Sequence, residues 1–258
     1  MLDVLSAVWF AACLFAGMLF SFALGRKIRS RLGEPSDTGI GAINAAIFGL
    51  FGLLVAFTFS GAASRYDTHR QLTGEEASNI GTAYLRLDLL APEAQPAARE
   101  LTRRYADSRI EVYRALPDLE AARRRLAASN RLQTELWRML VQATELPGGH
   151  RDAGKLLLPA VGAMFDIATK RTTVFLIHPP KEIMYLLFGL GLICAFLIGK
   201  ELRAKGPSGL IHAFGYALIT AAIVFYIVDL EYPWRGWIRA DAYDQMLVDV
   251  RSSMNDGR

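Results

Sequence analysis

Four long apolar segments alternate with polar segments along this 258-residue chain. The apolar segments cover residues 4–25, 40–60, 183–199 and 209–230. At about 1.5 Å per residue, helices of such length suit the roughly 30 Å hydrocarbon core of a bilayer. Asp3 is the only charge before the first segment and basic residues follow it, the reverse of a secretory signal, so we expect that segment to remain as a span. The pattern predicts a polytopic protein with four transmembrane helices.

The long polar region between the second and third segments has helical periodicity. Residues 97–116 place apolar side chains on one face, at Leu101, Tyr105, Val112 and Leu116. Residues 118–146 do the same with Leu119, Ala122, Leu126, Leu136 and Leu140. A further helix is predicted over 159–177, with Pro159 in its first turn. No strand-like alternation of useful length occurs, so the pattern favours an all-α chain.

These observations divide the chain into four parts. We expect a large helical extramembrane domain inserted between spans 2 and 3. The predicted parts are transmembrane helices 1 and 2 with a short basic loop (1–64), the helical extramembrane domain (65–181), transmembrane helices 3 and 4 (182–231) and a polar C-terminal tail (232–258).

Small residues keep to one helical face of the second span. That face holds Gly41, Ala45, Gly49, Gly52, Ala56, Ser60 and Ala63. It continues past the apolar part through Gly74, Ala77 and Gly81, which predicts that the second span is continuous with a long extramembrane helix. In a membrane, small residues allow close approach of backbones. The face either packs against helices of its own subunit, or it meets equivalent helices around an axis or lines a water-filled path.

Other residues of the second span are candidates for a pore. Four large apolar side chains could form a hydrophobic constriction: Phe48, Phe51, Val55 and Phe59. Two polar side chains, Asn44 and Thr58, suit either a hydrogen bond to a neighbouring helix or a pore lining. For the four large apolar side chains, the alternative to a constriction is simple contact with lipid.

A charged group follows where the second helix leaves the membrane. It consists of Arg65, Asp67, His69 and Arg70, which suit either interfacial anchoring or a charged pore mouth that concentrates ions. Asp229 and Glu231 are the carboxylates near the end of the fourth span, and we expect them to pair with Arg65 or Arg70.

The chain carries no familiar catalytic motif. It has no Walker loop, HExxH, CxxC or GxSxG, and its four histidines lack the spacing of metal ligands. The net charge is +4 with signs well mixed outside the spans, so no basic face for nucleic acid is indicated. We therefore expect no enzyme, cofactor, metal or nucleic-acid partner.

Loop charges predict the orientation. Short cytoplasmic loops are enriched in Lys and Arg. The first loop carries Arg26, Lys27, Arg29 and Arg31, and the loop after the third span carries Lys200, Arg203 and Lys205. These charges place both short loops in the cytoplasm, and the helical domain and both termini in the periplasm, of a multi-pass protein of the bacterial inner membrane.

Four stretches resemble a known family. They are GLLVAFTFSGAASRYDTHRQL (52–72), EEASNIGTAYLRLDLL (75–90), HPPKEIMYLL (178–187) and DLEYPWRGWI (229–238). Together they resemble the bacterial bestrophin-like domain family, four-span membrane proteins of unknown function, over nearly the whole chain.

The resemblance implies an oligomeric ion channel. Bestrophins are pentameric chloride or cation channels in which the second of four spans lines a central pore with a hydrophobic neck. By this analogy the chain forms a homo-oligomer, a pentamer, that conducts small inorganic ions across a lipid bilayer. The same analogy places the large domain in the cytoplasm, against the loop charges. The alternative function is a non-conducting membrane scaffold or sensor whose helical domain binds a partner.

Overall fold

The computed structural model describes residues 4–32, 40–116, 118–176, 181–201, 207–231 and 241–255. Within these ranges the chain is helical and contains no strand, which confirms the all-α prediction. The helices are α1 (Val4–Leu32), α2 (Ile40–Arg86), α3 (Gln95–Arg114), α4 (Leu119–Thr144), α5 (Ala153–Leu176), α6 (Lys181–Glu201), α7 (Pro207–Glu231) and α8 (Asp241–Ser253), with a 3₁₀ turn at Leu87–Leu89.

Four helices of the described chain are long and apolar enough to cross a membrane, as predicted. They lie at Ala7–Arg31, Gly41–Leu89, Lys181–Glu201 and Gly209–Glu231. The second belongs to α2, a single helix of 47 residues, so the predicted continuity of the second span with the polar sequence after it is confirmed. Arg203, Lys205 and residues 178–180 and 232–238, used in the sequence analysis, lie outside the described residues.

The chain forms two compact units. Unit 1 comprises Met1–Tyr66 and His178–Ile238, and unit 2 comprises Asp67–Ile177 and Arg239–Arg258. The long polar region and the end of the C-terminal tail therefore contribute to the same unit, although two predicted spans separate them in sequence.

In unit 1, α1 packs against both α6 and α7. The backbones of α1 and α6 touch at two glycines, because a Cβ atom on Gly25 would collide with the Phe196 carbonyl and one on Gly199 with the Phe22 carbonyl. At the end of α6, Arg29 donates from Nη1 to the Lys200 and Glu201 carbonyls at 2.9 Å each. These bonds satisfy carbonyls that the helix itself leaves without partners.

In unit 2, α3 packs on α4, and α4 on α5. Asp118 caps α4 by accepting from the backbone N–H groups of Glu120 and Ala121, both at 3.0 Å. The predicted apolar faces are buried at Leu101, Tyr105 and Val112 of α3 and at Ala122, Leu136 and Leu140 of α4. Leu119 is the exception: it is the first residue of α4 and is 45% exposed.

Two elements of unit 2 differ from the sequence-based prediction. The helix expected to begin at Pro159 begins at Ala153, so Pro159 lies inside α5. A proline removes one backbone hydrogen bond, and here the buried side chains of Leu157 and Val161 hold the helix on the core across that position. The tail, for which no helix was predicted, contains α8, which packs on α3.

Candidate assembly and pore surface

One face of α2 is buried within unit 1. Asn44, Phe51 and Thr58 lie on it at seven-residue spacing and are each at most 9% exposed. The Asn44 amide donates to the Glu201 carboxylate at the end of α6, and the Thr58 hydroxyl donates to the Leu54 carbonyl at 2.7 Å. Both polar residues of the second span thus make hydrogen bonds inside the protomer. We call this face the buried seam of α2.

The small-residue face lies to one side of the buried seam. Its residues are exposed at Gly41, Ala45, Gly49, Gly52, Ala56 and Ser60 and half-buried at Ala63. A Cβ atom added to Gly41, Gly49 or Gly52 would meet no atom of another described residue within 4 Å. Helices of unit 1 therefore leave these three glycines uncovered.

The other side of the seam carries large apolar residues. Ile43, Leu50 and Phe57 are 59–68% exposed. At about 100° per residue, they stand roughly 80–120° from Phe51 in the opposite direction to the small-residue face. In its membrane part α2 thus presents three distinct faces: buried, small and bulky.

The four constriction candidates do not lie together. Phe51 is in the buried seam, and Phe48 and Val55 are half-buried beside it. These three line a cavity of about 470 Å³ against residues of α6 and α7, among them Ile198, Tyr216 and Ile223. Phe59 is separate and 44% exposed, on the edge of the small-residue face.

Two ion pairs of the charged group after the second span are described. Arg65 donates from Nε to both carboxylate oxygens of Glu231, at 3.0 and 2.8 Å. Its Nη2 also lies 2.8 Å from Oε2 of the same carboxylate. This pair confirms the expected contact between the ends of the second and fourth spans. Arg70 and Asp67, one helical turn apart, approach to 3.4 Å and are both exposed. His69 is half-buried.

Sequence reasoning missed a buried polar cluster in unit 2. Glu76 has no exposed surface, and Arg109 donates to it from Nε at 2.5 Å while Arg171 donates from Nη1 at 2.8 Å. The Tyr113 hydroxyl donates to the same carboxylate at 3.1 Å and accepts from Nη2 of Arg109. Arg171 also stacks 3.5 Å from the centre of the Tyr113 ring.

Two tyrosines near this cluster are held in the neutral form. Burial raises the pKa of Tyr113, and the Glu76 carboxylate raises it further. Burial likewise raises the pKa of Tyr105. Opposing effects act on Arg109: burial works to lower its pKa, but Tyr113 and Glu76 raise it above the ordinary value. The guanidinium therefore stays charged and both phenols keep their protons.

Tyr105 is distinguished by its hydroxyl. The residue is 1% exposed, and its oxygen forms no hydrogen bond with any described residue. A buried polar group in that state costs about 1–3 kcal/mol.

In the described chain no group of three or more histidine, cysteine or acidic residues could hold a metal ion.

Comparison with known proteins adds a family and a fold. A sequence model described as Bestrophin-like domain matches residues 9–242. No curated protein matches the chain significantly.

Two solved structures of variants of a bacterial bestrophin homologue from Klebsiella pneumoniae are similar to it. One is 13% identical with a TM-score of 0.74 and covers 97% of this chain and 98% of that one. The other is 15% identical with a TM-score of 0.73 and covers 98% and 97%. A third structure, of a protein described only as a membrane protein, is 14% identical with a TM-score of 0.69 and covers 97% and 98%. At these identities the likeness concerns the fold.

Proposed function

Because the chain belongs to the bestrophin-like domain family, we propose that it forms an oligomeric ion channel in a bacterial membrane, with α2 lining the pore. The observation that carries this proposal is the uncovered small-residue face of α2. Gly41, Gly49 and Gly52 weaken a helix in water by up to about 1 kcal/mol each, relative to alanine. They are useful where another backbone approaches closely, and helices of unit 1 leave them uncovered.

In this proposal each of the three faces of α2 contacts a different neighbour. The buried seam holds α2 to its own protomer, and the bulky face of Ile43, Leu50 and Phe57 meets lipid tails. The small-residue face then meets copies of α2 from neighbouring protomers, around an axis that ions follow. Small side chains at that axis leave room for water, which ions require along a pore.

Within this arrangement Phe59 is the proposed constriction. Phe51 is occupied inside the protomer, and Phe48 and Val55 line a cavity against α6 and α7. Phe59 is exposed beside the small-residue face, so equivalent rings from several protomers form an apolar narrowing. Asp67 and Arg70, which are exposed about two and three helical turns beyond the apolar segment, then stand at the pore mouth.

The experiment combines recording with a matched pair of variants. Purified protein in planar bilayers is expected to give ion-selective current, and its mass in native detergent micelles gives the subunit number. Gly49→Trp places a large side chain on the small-residue face and is expected to reduce both oligomer content and current at least tenfold. Leu50→Trp, about 100° away on the bulky face, is the control and leaves both unchanged.

The outcomes separate the two functions considered. Intact oligomers without current in several salts and pH values would favour a non-conducting scaffold or sensor over a channel. Equal loss of assembly in Gly49→Trp and Leu50→Trp would remove the small-residue face from the assembly surface.

A further inference from the structure

A small polar cavity lies inside unit 2, between α3, α4 and α5. Its volume is about 120 Å³, several times the roughly 10–15 Å³ that one water requires. Tyr105, Arg109, Ser129, Asn130 and Gln133 line it, together with residues of α5. None of them belongs to α2, so the cavity is independent of the proposed pore.

The charge of the lining selects the kind of ligand. Among the described residues that line the cavity, Arg109 is the only charged one, and none carries a carboxylate. Cations are held by carboxylates and carbonyls, whereas a guanidinium attracts acceptors of negative charge. The lining therefore suits an anion and opposes a cation.

Two buried groups have hydrogen-bond donors to offer. Tyr105 is neutral, and its hydroxyl has no partner among the described residues. Arg109 is 2% exposed, and its hydrogen bonds to Glu76, Tyr113 and the Ala168 carbonyl use Nε and Nη2 rather than Nη1. One acceptor atom between these two side chains could satisfy both.

The other polar groups of the lining have different roles. Thr169, Thr172 and Thr173 donate to carbonyls of their own helix, and Ser129 is hydrogen-bonded to Ser108. The amides of Asn130 and Gln133 lie nearer to solvent and can complete the coordination of a ligand or admit it.

We propose that this cavity binds one small monovalent anion, of chloride to formate size, between Arg109 Nη1 and Tyr105 Oη. The anion accepts a charge-assisted hydrogen bond from the guanidinium and one from the phenol, which fills the donor capacity that the protein leaves unused. Binding ties α3 to the ends of the polar side chains on α4, and so stabilises unit 2.

The test measures thermal unfolding of the full-length protein in detergent. Chloride and formate are titrated against gluconate, a much larger monovalent anion, at constant ionic strength. Wild-type protein is expected to gain melting temperature in a saturable manner, as a ligand that binds only the folded state requires. Tyr105→Phe is expected to melt no lower than wild type in gluconate, and to show an apparent affinity for chloride at least tenfold weaker.

Two further measurements make the result decisive. Tyr185→Phe, which changes an exposed tyrosine of α6, is expected to retain the wild-type response. A bromide derivative is expected to give an anomalous peak between Tyr105 and Arg109. An equal chloride response in Tyr105→Phe and wild type, or no response of wild type to either anion, would overturn the proposal.

Discussion

Glu76 is the residue on which the buried polar contacts of unit 2 converge. Its carboxylate accepts from Arg109, Arg171 and Tyr113, and it has no contact with solvent. Such an arrangement contributes little net stability compared with apolar packing, because each charge loses its hydration. Removal of one member lowers the stability strongly, since the partners remain buried without a counter-charge.

We predict that Glu76→Gln lowers the free energy of unfolding by about 3–5 kcal/mol, the range for breaking a buried ion pair. The measurement is denaturant or thermal unfolding of the purified protein in detergent. Glu75→Gln is the matched control, because Glu75 is the adjacent residue and is exposed. The control is expected to change stability by no more than about 0.5 kcal/mol, and a similar effect of both variants would argue against the cluster as a stabilising unit.

The sequence indicates part of this cluster and not the rest. Arg109 lies four residues after Tyr105 on the face predicted to be buried, so a charge on that face was a usable signal. The choice of Glu76 over Glu75 depends on which side of α2 meets α3. The second guanidinium, Arg171, is 95 residues away in sequence, and local periodicity cannot pair residues at such separation.

Among the elements, the backbones of α1 and α6 approach each other closely at two glycines. Gly199 lies against the Phe22 carbonyl and Gly25 against the Phe196 carbonyl. Neither glycine has room for one additional carbon. The contact is local to unit 1, and its cost can be measured separately from assembly.

We predict that Gly199→Ala destabilises unit 1 by about 1–3 kcal/mol, because the added methyl forces the two helices apart. Thermal unfolding in detergent, followed by intrinsic fluorescence, measures the change. Gly189→Ala on the same helix is the control, since a Cβ there meets no other part of the described chain within 4 Å. The control is expected to be neutral or to stabilise by up to about 1 kcal/mol, through helix propensity. A destabilised control with an unchanged Gly199→Ala would contradict the contact.

Periodicity predicted α2, α3 and α4 well, and failed for α5 and α8. The face of small residues runs past the apolar segment, and this was sufficient to predict one continuous helix. Pro159 was taken as a first-turn residue by its preference, but packing of the preceding turn on the core extends α5 to Ala153. For α8, the periodic signal is short. Its apolar side chain Leu247, and Met254 directly after the helix, are buried by partners from distant parts of the chain.

At the scale of the whole molecule, unit 2 is built from two separate stretches. Arg251 of α8 donates from Nη2 to Asp107 at 3.0 Å, and the Met254 carbonyl accepts from Tyr84 and Arg103 at 2.9 and 2.8 Å. Two candidate spans, α6 and α7, lie between these stretches in sequence. An even number of crossings returns the chain to the same side, so the four-span arrangement suits a unit assembled from both.

The loop charges predict that unit 2 lies in the periplasm. We predict that Ala128→Cys, an exposed position of α4 in a background without Cys13 and Cys194, is labelled in intact cells by a maleimide that cannot cross the inner membrane. Position 128 suits the reagent because it is exposed, whereas its neighbour Ser129 is buried. Ser30→Cys, exposed at the end of α1, is the control and is expected to react only after lysis. The reverse pattern would place unit 2 in the cytoplasm.

The assembly of unit 2 from two separate stretches of the chain also has a consequence for biosynthesis. The ribosome makes α3, α4 and α5 before the third and fourth spans, and α8 only after them. Until α8 arrives, the Tyr84 hydroxyl and the Arg103 guanidinium lack the Met254 carbonyl, and the apolar surface that Leu247 covers stays open. Completion of the folded domain is thereby delayed until membrane insertion of the last two helices is finished. A nascent chain arrested during insertion would expose an unfinished core, a state that quality-control proteases can recognise.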